Sequence, residues 1–86
     1  MQTRRLLDGR LKLRHLVLVD ALVEHGTVAG AAAHLHMTQP AASRSLQELE
    51  GILGVSLFER GPRGVVPTIF GTAFGSHARA ILAQLS

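Results

Sequence analysis

Residues 27–53 read TVAGAAAHLHMTQPAASRSLQELEGIL, and this stretch decides the fold. Gly26 before it is free to take a left-handed cap and closes the preceding helix. Thr27 is a good N-cap for the next one. Val28, Ala31, Ala32 and Leu35 predict a short, Ala-rich helix over residues 28–36 with one apolar stripe. Thr38 is a second N-cap, and Pro40 is tolerated in a first turn, where its missing N–H would be orphaned anyway. A third helix follows from Gln39 to Leu53, and Gly54 ends it. Advance about 100° per residue from Gln39, and Ala42, Leu46, Leu49 and Leu53 fall between about 280° and 340°. Pro40, Arg44, Gln47 and Gly51 fall between about 80° and 140°, flanked by Gln39 and Ser43. One face is core and the other is short, polar and uncluttered. A short helix, a tight turn and a longer helix of this kind make a helix-turn-helix whose second helix suits a DNA major groove.

Upstream, Leu13, Leu16, Val19 and Val23 recur at helical spacing and predict a first helix from Leu13, with this stripe turned to the core. Residues 1–12 read as a solvated basic arm with at most a nonspecific attraction to phosphate. Downstream, Val55–Phe58 and Val65–Pro67 read as extended segments around Glu59-Arg60-Gly61-Pro62-Arg63-Gly64. That is a small hairpin, or wing, with Arg63 at its tip and Pro67 confining the second strand to an edge. Thr68 caps a last helix to about Leu85. Phe70, Phe74, Ala78, Ile81, Leu82 and Leu85 form its apolar seam, which a second copy of the chain would cover most simply. Gly71 and Gly75 in that helix would permit close approach of the partner helix.

Composition excludes more than it assigns. The 86 residues are 47% hydrophobic, too apolar for a disordered chain. Three Phe and no Trp or Tyr argue against an all-β sandwich and against aromatic platforms for single strands. The lack of Cys excludes disulfides, thiolate zinc sites and Cys nucleophiles. His34 and His36 point to different sides of their helix, so no metal site is expected. No nucleophile, base and acid assemble, so neither an enzyme nor a cofactor is expected. Apolar runs end quickly, as at Asp20 after Leu16–Val19, and predict no membrane span. The net charge is +3, with the surplus in Arg4, Arg5, Arg10, Lys12 and Arg14 against Asp8. Residues 27–67 balance Arg44, Arg60 and Arg63 against Glu48, Glu50 and Glu59. Attraction to nucleic acid must therefore come from placed arginines, not from bulk charge.

The run Ala31–Glu50, then Leu53-Gly54-Val55-Ser56-Leu57-Phe58-Glu59-Arg60, Arg63-Gly64, Pro67-Thr68 and Gly71 resembles the N-terminal DNA-binding domain of LysR-type bacterial transcriptional regulators. The resemblance covers about Leu13 to Leu85. It implies a mostly α, winged helix-turn-helix with a two-stranded wing and a C-terminal linker helix for dimerisation. The expected divisions are 1–12, the arm; 13–67, the DNA-binding unit; and 68–86, the linker helix. By matching position, Thr38, Gln39, Pro40, Ser43 and Arg44 would contact DNA, with Arg63 as the wing arginine. Thr27, Gln47 and Arg60 complete the candidate set. Arg44 could instead pair with Glu48 one turn on, a pair worth only a few tenths of a kcal/mol. Pro67 stands where the family usually has Leu.

The implied partner is double-stranded DNA with a pseudo-palindromic operator, in the cytoplasm at the nucleoid. The chain would act as a homodimer, with tetramers formed by full-length family members. A small-molecule effector would act only through a C-terminal domain that this chain lacks, so the chain reads as a fragment. The rival reading is a winged helix that binds protein and has little affinity for DNA.

Overall fold

A computed structural model describes residues 8–86; Arg4 and Arg5 of the expected arm lie outside the described residues. Among the described residues, four helices and one hairpin run α1 (Leu13–His25), α2 (Val28–His34), α3 (Gln39–Leu53), β1 (Phe58–Gly61), β2 (Gly64–Pro67) and α4 (Ile69–Leu85). The residues at the element ends explain the order. Gly26 and Gly54 both sit at φ 74° and close α1 and α3 in the left-handed conformation. The hydroxyls of Thr27, Thr38 and Thr68 accept hydrogen bonds from the N–H groups of Gly30, Ala41 and Gly71 at 2.9, 3.2 and 3.2 Å. Each such cap is worth about 1 kcal/mol against alanine.

α2 ends at His34 rather than His36. His36 takes φ 58°, its N–H reaches Ala33 O at 3.2 Å, and Met37 N–H reaches Ala32 O at 2.8 Å. This doubly bonded left-handed closure usually uses Gly, and it makes the turn between α2 and α3 tight.

The core is built from α1, α2, α3 and the hairpin, with Leu18, Val19, Leu22, Ala31, Leu49 and Leu57 essentially without exposure. The expected α1 stripe is corrected. Leu13 and Val23 are 53% and 43% exposed, and the buried face is His15, Leu18, Val19, Ala21 and Leu22. α1 carries apolar residues nearly all round, so helical spacing fits more than one stripe, and its neighbours choose between them.

The hairpin is antiparallel, with Phe58 opposite Pro67, Arg60 opposite Val65 and Gly61 opposite Gly64. The first strand starts at Phe58, not Val55, and Glu59 and Arg60 belong to it. Glu50 explains the shift. Its carboxylate accepts from Leu57 and Phe58 N–H at 2.6 and 3.3 Å, which spends Val55–Leu57 on the crossing from α3. The wing is then fixed to the α1–α2 turn by Val65 N–H donating to Gly26 O at 2.9 Å. Gly64, at φ 135°, leaves no room there for a Cβ, which would collide with Gly26 O.

α4 packs back along α1, and Gly71, Gly75 and Ala78 on its inner face are all buried. A Cβ on Gly71 would collide with the Leu57 carbonyl, and one on Gly75 would stand 3.1 Å from Val23 Cγ2. The close approach that these small residues allow is therefore within the chain. Ala78 is fully buried on the same face, so it offers no surface to a second copy and leaves the expected seam. Asp20 and Arg79 join the two helices at their edge, 3.2 Å apart. No helix among the described residues is long and apolar enough to cross a membrane.

Candidate nucleic-acid interface

α3 buries Ala42, Leu46, Leu49, Ile52 and Leu53. Its other side exposes Gln39, Pro40, Arg44, Gln47 and Gly51, with Ser43 half-buried at the margin. Thr38 is exposed at the start of α3, its hydroxyl oxygen engaged on Ala41 N–H. The tight α2–α3 turn leaves this face clear, because the chain turns back before it can overhang the helix start.

The wing carries two arginines, of which Arg60 reaches α3. Arg60 shares a strand face with Phe58 and stands opposite Val65, both buried, so its side chain runs back over the molecule. Its Nη2 donates to Ser43 Oγ at 3.0 Å. Thr27, Gln39, Arg60 and Gly64 line one open recess of about 170 Å³, in which Arg60 is the charged group. Arg63 is exposed within the turn between the strands. Thr27 is half-buried and holds the start of α2.

The carboxylates are handled differently from the arginines. Glu48 does not pair with Arg44. Its Oε1 lies 2.6 Å from His15 Nε2 and 3.2 Å from Arg14 Nη2. His15 is wholly buried, and its Nδ1 accepts Lys12 N–H at 2.9 Å. That leaves the ring hydrogen on Nε2, donating to Glu48. The His15 hydrogen bond, with the Arg14 charge beside it, holds the Glu48 carboxyl below its ordinary value against the opposing cost of desolvation. Glu50 is turned to the Leu57 and Phe58 amides. Of the three glutamates that balance Arg44, Arg60 and Arg63 in the sequence, Glu48 and Glu50 are engaged by other groups, while Glu59 is exposed on β1.

His15 and Glu50 carry structure that sequence reasoning missed. The signal for His15 was its place three and seven residues before Leu18 and Leu22, on the face that is actually buried. Glu50 had no signal beyond lying near the chain reversal at Gly54. On α4, Phe70, Ile81 and Leu85 are exposed and Leu82 is half-buried, whereas Phe74 is half-buried against the core. Phe70 and Phe74 also line an apolar recess of about 340 Å³ with Leu53, Val55 and Leu57.

Residues 13–72 match the family model described as bacterial regulatory helix-turn-helix protein, lysR family. The chain is 56% identical over 79 residues to the HTH-type transcriptional regulator GbpR of Azospirillum brasilense, covering 92% of this chain and 23% of that protein. It spans about a quarter of the length of the curated relatives that it matches. Among solved structures it is similar to the CbnR DNA-binding domain in complex with DNA, with TM-score 0.82 and 43% identity over 87% of this chain and 86% of that one. It is likewise similar to the BenM DNA-binding domain on the catB site 1 DNA, with TM-score 0.84 and 40% identity over 87% and 84%.

Proposed function

This chain belongs to the lysR family of bacterial regulatory helix-turn-helix proteins, and from that we propose that it binds double-stranded DNA in a sequence-specific way as the DNA-binding part of a transcriptional regulator. The observation that carries the reading is the exposed polar side of α3, with Arg60 of the wing bonded to its margin at Ser43. Neither Glu48 nor Glu50 pairs with Arg44 or Arg60, and Arg63 is exposed in the wing turn. In this reading α3 lies in the major groove. Arg44 and Gln39 read base edges, the arginine by two parallel bonds to guanine and the glutamine to adenine. Ser43 and Gln47 stand beside them. Thr38, Pro40 and Thr27 lie at helix starts, where N–H groups and the helix dipole favour phosphate. Arg60 keeps to the inner edge of the wing, and Arg63 reaches the backbone or the minor groove, where the negative potential favours it.

The unit 13–67 acts on DNA, and 68–86 pairs two copies through Phe70, Phe74, Ile81, Leu82 and Leu85. A two-fold dimer calls for a pseudo-palindromic operator. Its site of action is the bacterial nucleoid, in the cytoplasm, and it regulates transcription rather than catalysing a reaction.

Titration with duplex DNA over a range of salt tests the reading. Affinity should fall with salt, and Arg63→Ala should weaken binding to all sequences and flatten the log–log slope by about one. A slope unchanged by Arg63→Ala would remove the wing contact. Absence of any salt-dependent duplex binding would favour a protein-binding module.

A further inference from the structure

We propose that residues Arg10–Arg14 form a second phosphate-contacting element, which holds the DNA backbone on the flank of α3 opposite the wing. The inference rests on the DNA-binding reading and adds residues to it. An open trough of about 560 Å³ lies beside the C-terminal half of α3. Arg10, Lys12 and Arg14 line it from one side, and Gln47, Glu48 and Gly51 from the other. Arg10 pairs with Asp8 and Arg14 with Glu48, so three cations stand against two carboxylates, and Lys12 makes no ion pair among the described residues. Gly51 contributes no side chain, and a Cβ built there would meet nothing within 4 Å.

The position matters as much as the charge. Gln47 and Gly51 lie on the same stripe of α3 as Arg44, so the trough continues the face proposed for the groove. The wing reaches α3 through Arg60 and Ser43, and the 10–14 segment reaches it through Arg14 and Glu48. These two contacts lie at about 40° and about 180° around α3, with Pro40, Arg44, Gln47 and Gly51 between them. A major groove is about 12 Å wide, close to the diameter of a helix, and is bounded by one phosphate strand on each side. A helix seated there with basic groups on both flanks meets both strands.

The segment is also held in place. Leu11 packs against the core, and Lys12 N–H is fixed by His15 Nδ1 at 2.9 Å. Asp8 accepts from Arg10 Nε at 2.8 Å and from Arg10 N–H at 3.0 Å. Residues 8–12 are thus a built shelf rather than the loose solvated arm expected from composition.

The test is the double variant Arg10→Gln/Lys12→Gln, titrated with the preferred duplex and with mixed-sequence duplex over about a fourfold range of salt, with thermal melting as a check on folding. Two lost phosphate contacts should flatten the log–log slope by about 1.8, so that the affinity lost over that range shrinks by roughly tenfold. Base preference should stay as in the parent. An unchanged slope in a folded variant that still binds duplex overturns the inference alone. Failure of the parent chain to bind duplex overturns the functional reading and this inference with it. Gly51→Glu gives a second arm. A carboxylate on the trough floor should cut low-salt affinity at least tenfold without lowering the melting temperature, and unaltered affinity would overturn the proposal.

Discussion

Arg44 makes no hydrogen bond or ion pair among the described residues, although Glu48 lies one turn further along α3. His15 and Arg14 take that carboxylate, so the guanidinium stays available. Arg44→Ala should weaken binding to the preferred operator by about 1–3 kcal/mol and relax base preference at one position in each half-site. Binding to a panel of single-base operator variants checks this, and unchanged preference would remove Arg44 from the readout. Glu48 makes a separate prediction. Its carboxyl is held below the ordinary 4.5 by the His15 hydrogen bond first and by Arg14 after it. A depressed folded-state value stabilises the native chain above the unfolded-state value, and that benefit is lost as pH falls through the folded-state value. Melting temperature should therefore fall below about pH 4.5 more steeply in the parent than in Glu48→Gln. The variant should also melt lower at neutral pH. Equal acid slopes in the two proteins would contradict the assignment. Neither His15 nor Glu48 was legible as a pair in the sequence, because they stand 33 residues apart and only packing joins them.

At the scale of elements, two helical glycines should respond in opposite directions. Gly51 is exposed and unobstructed in α3, so Gly51→Ala should stabilise the fold by about 0.5–1 kcal/mol through the helix preference of alanine. Gly71 lies against the Leu57 carbonyl, which is backbone and cannot swing away. Gly71→Ala should destabilise by about 1–3 kcal/mol, as overpacking does. Urea unfolding of the two variants measures both, and equal effects would refute the packing of α4 on the crossing before β1. The same elements show what the sequence could and could not tell. Thr27, Thr38, Thr68, Gly26 and Gly54 are local signals, and they placed the helix ends within a residue or two. α2 stopped early because His36 takes a left-handed position with no Gly or Asn to announce it. The wing began late because Glu50, seven residues before Leu57, claims the amides that would otherwise have paired. Both departures come from contacts that a one-dimensional pattern does not contain.

At the scale of the whole molecule, the seam on α4 narrowed once its inner face was known. Gly71, Gly75 and Ala78 are buried within the chain, Gly71 against the Leu57 carbonyl and Gly75 against Val23 of α1, and the outer residues Phe70, Ile81 and Leu85 remain 53%, 43% and 64% exposed. Ile81→Glu should therefore give folded monomers in sedimentation, whereas Phe74→Glu would also disturb the core against which Phe74 packs. Dimers that persist in Ile81→Glu would exclude the outer face of α4 as the seam. The +3 charge of the chain also acquires a layout. Arg60 and Arg63 stand on the wing side of α3, Arg10, Lys12 and Arg14 on the other, and Arg44 between them. The readable part of this site was the polar stripe of α3. The unreadable part was the destination of each carboxylate, which decides whether nearby arginines are free. The most direct measurement is selection of preferred sites from randomised duplex DNA by the folded chain. One motif with two-fold symmetry should emerge, its half-sites about one DNA turn or more apart. Recovery of bound sequences that share no motif would contradict the account.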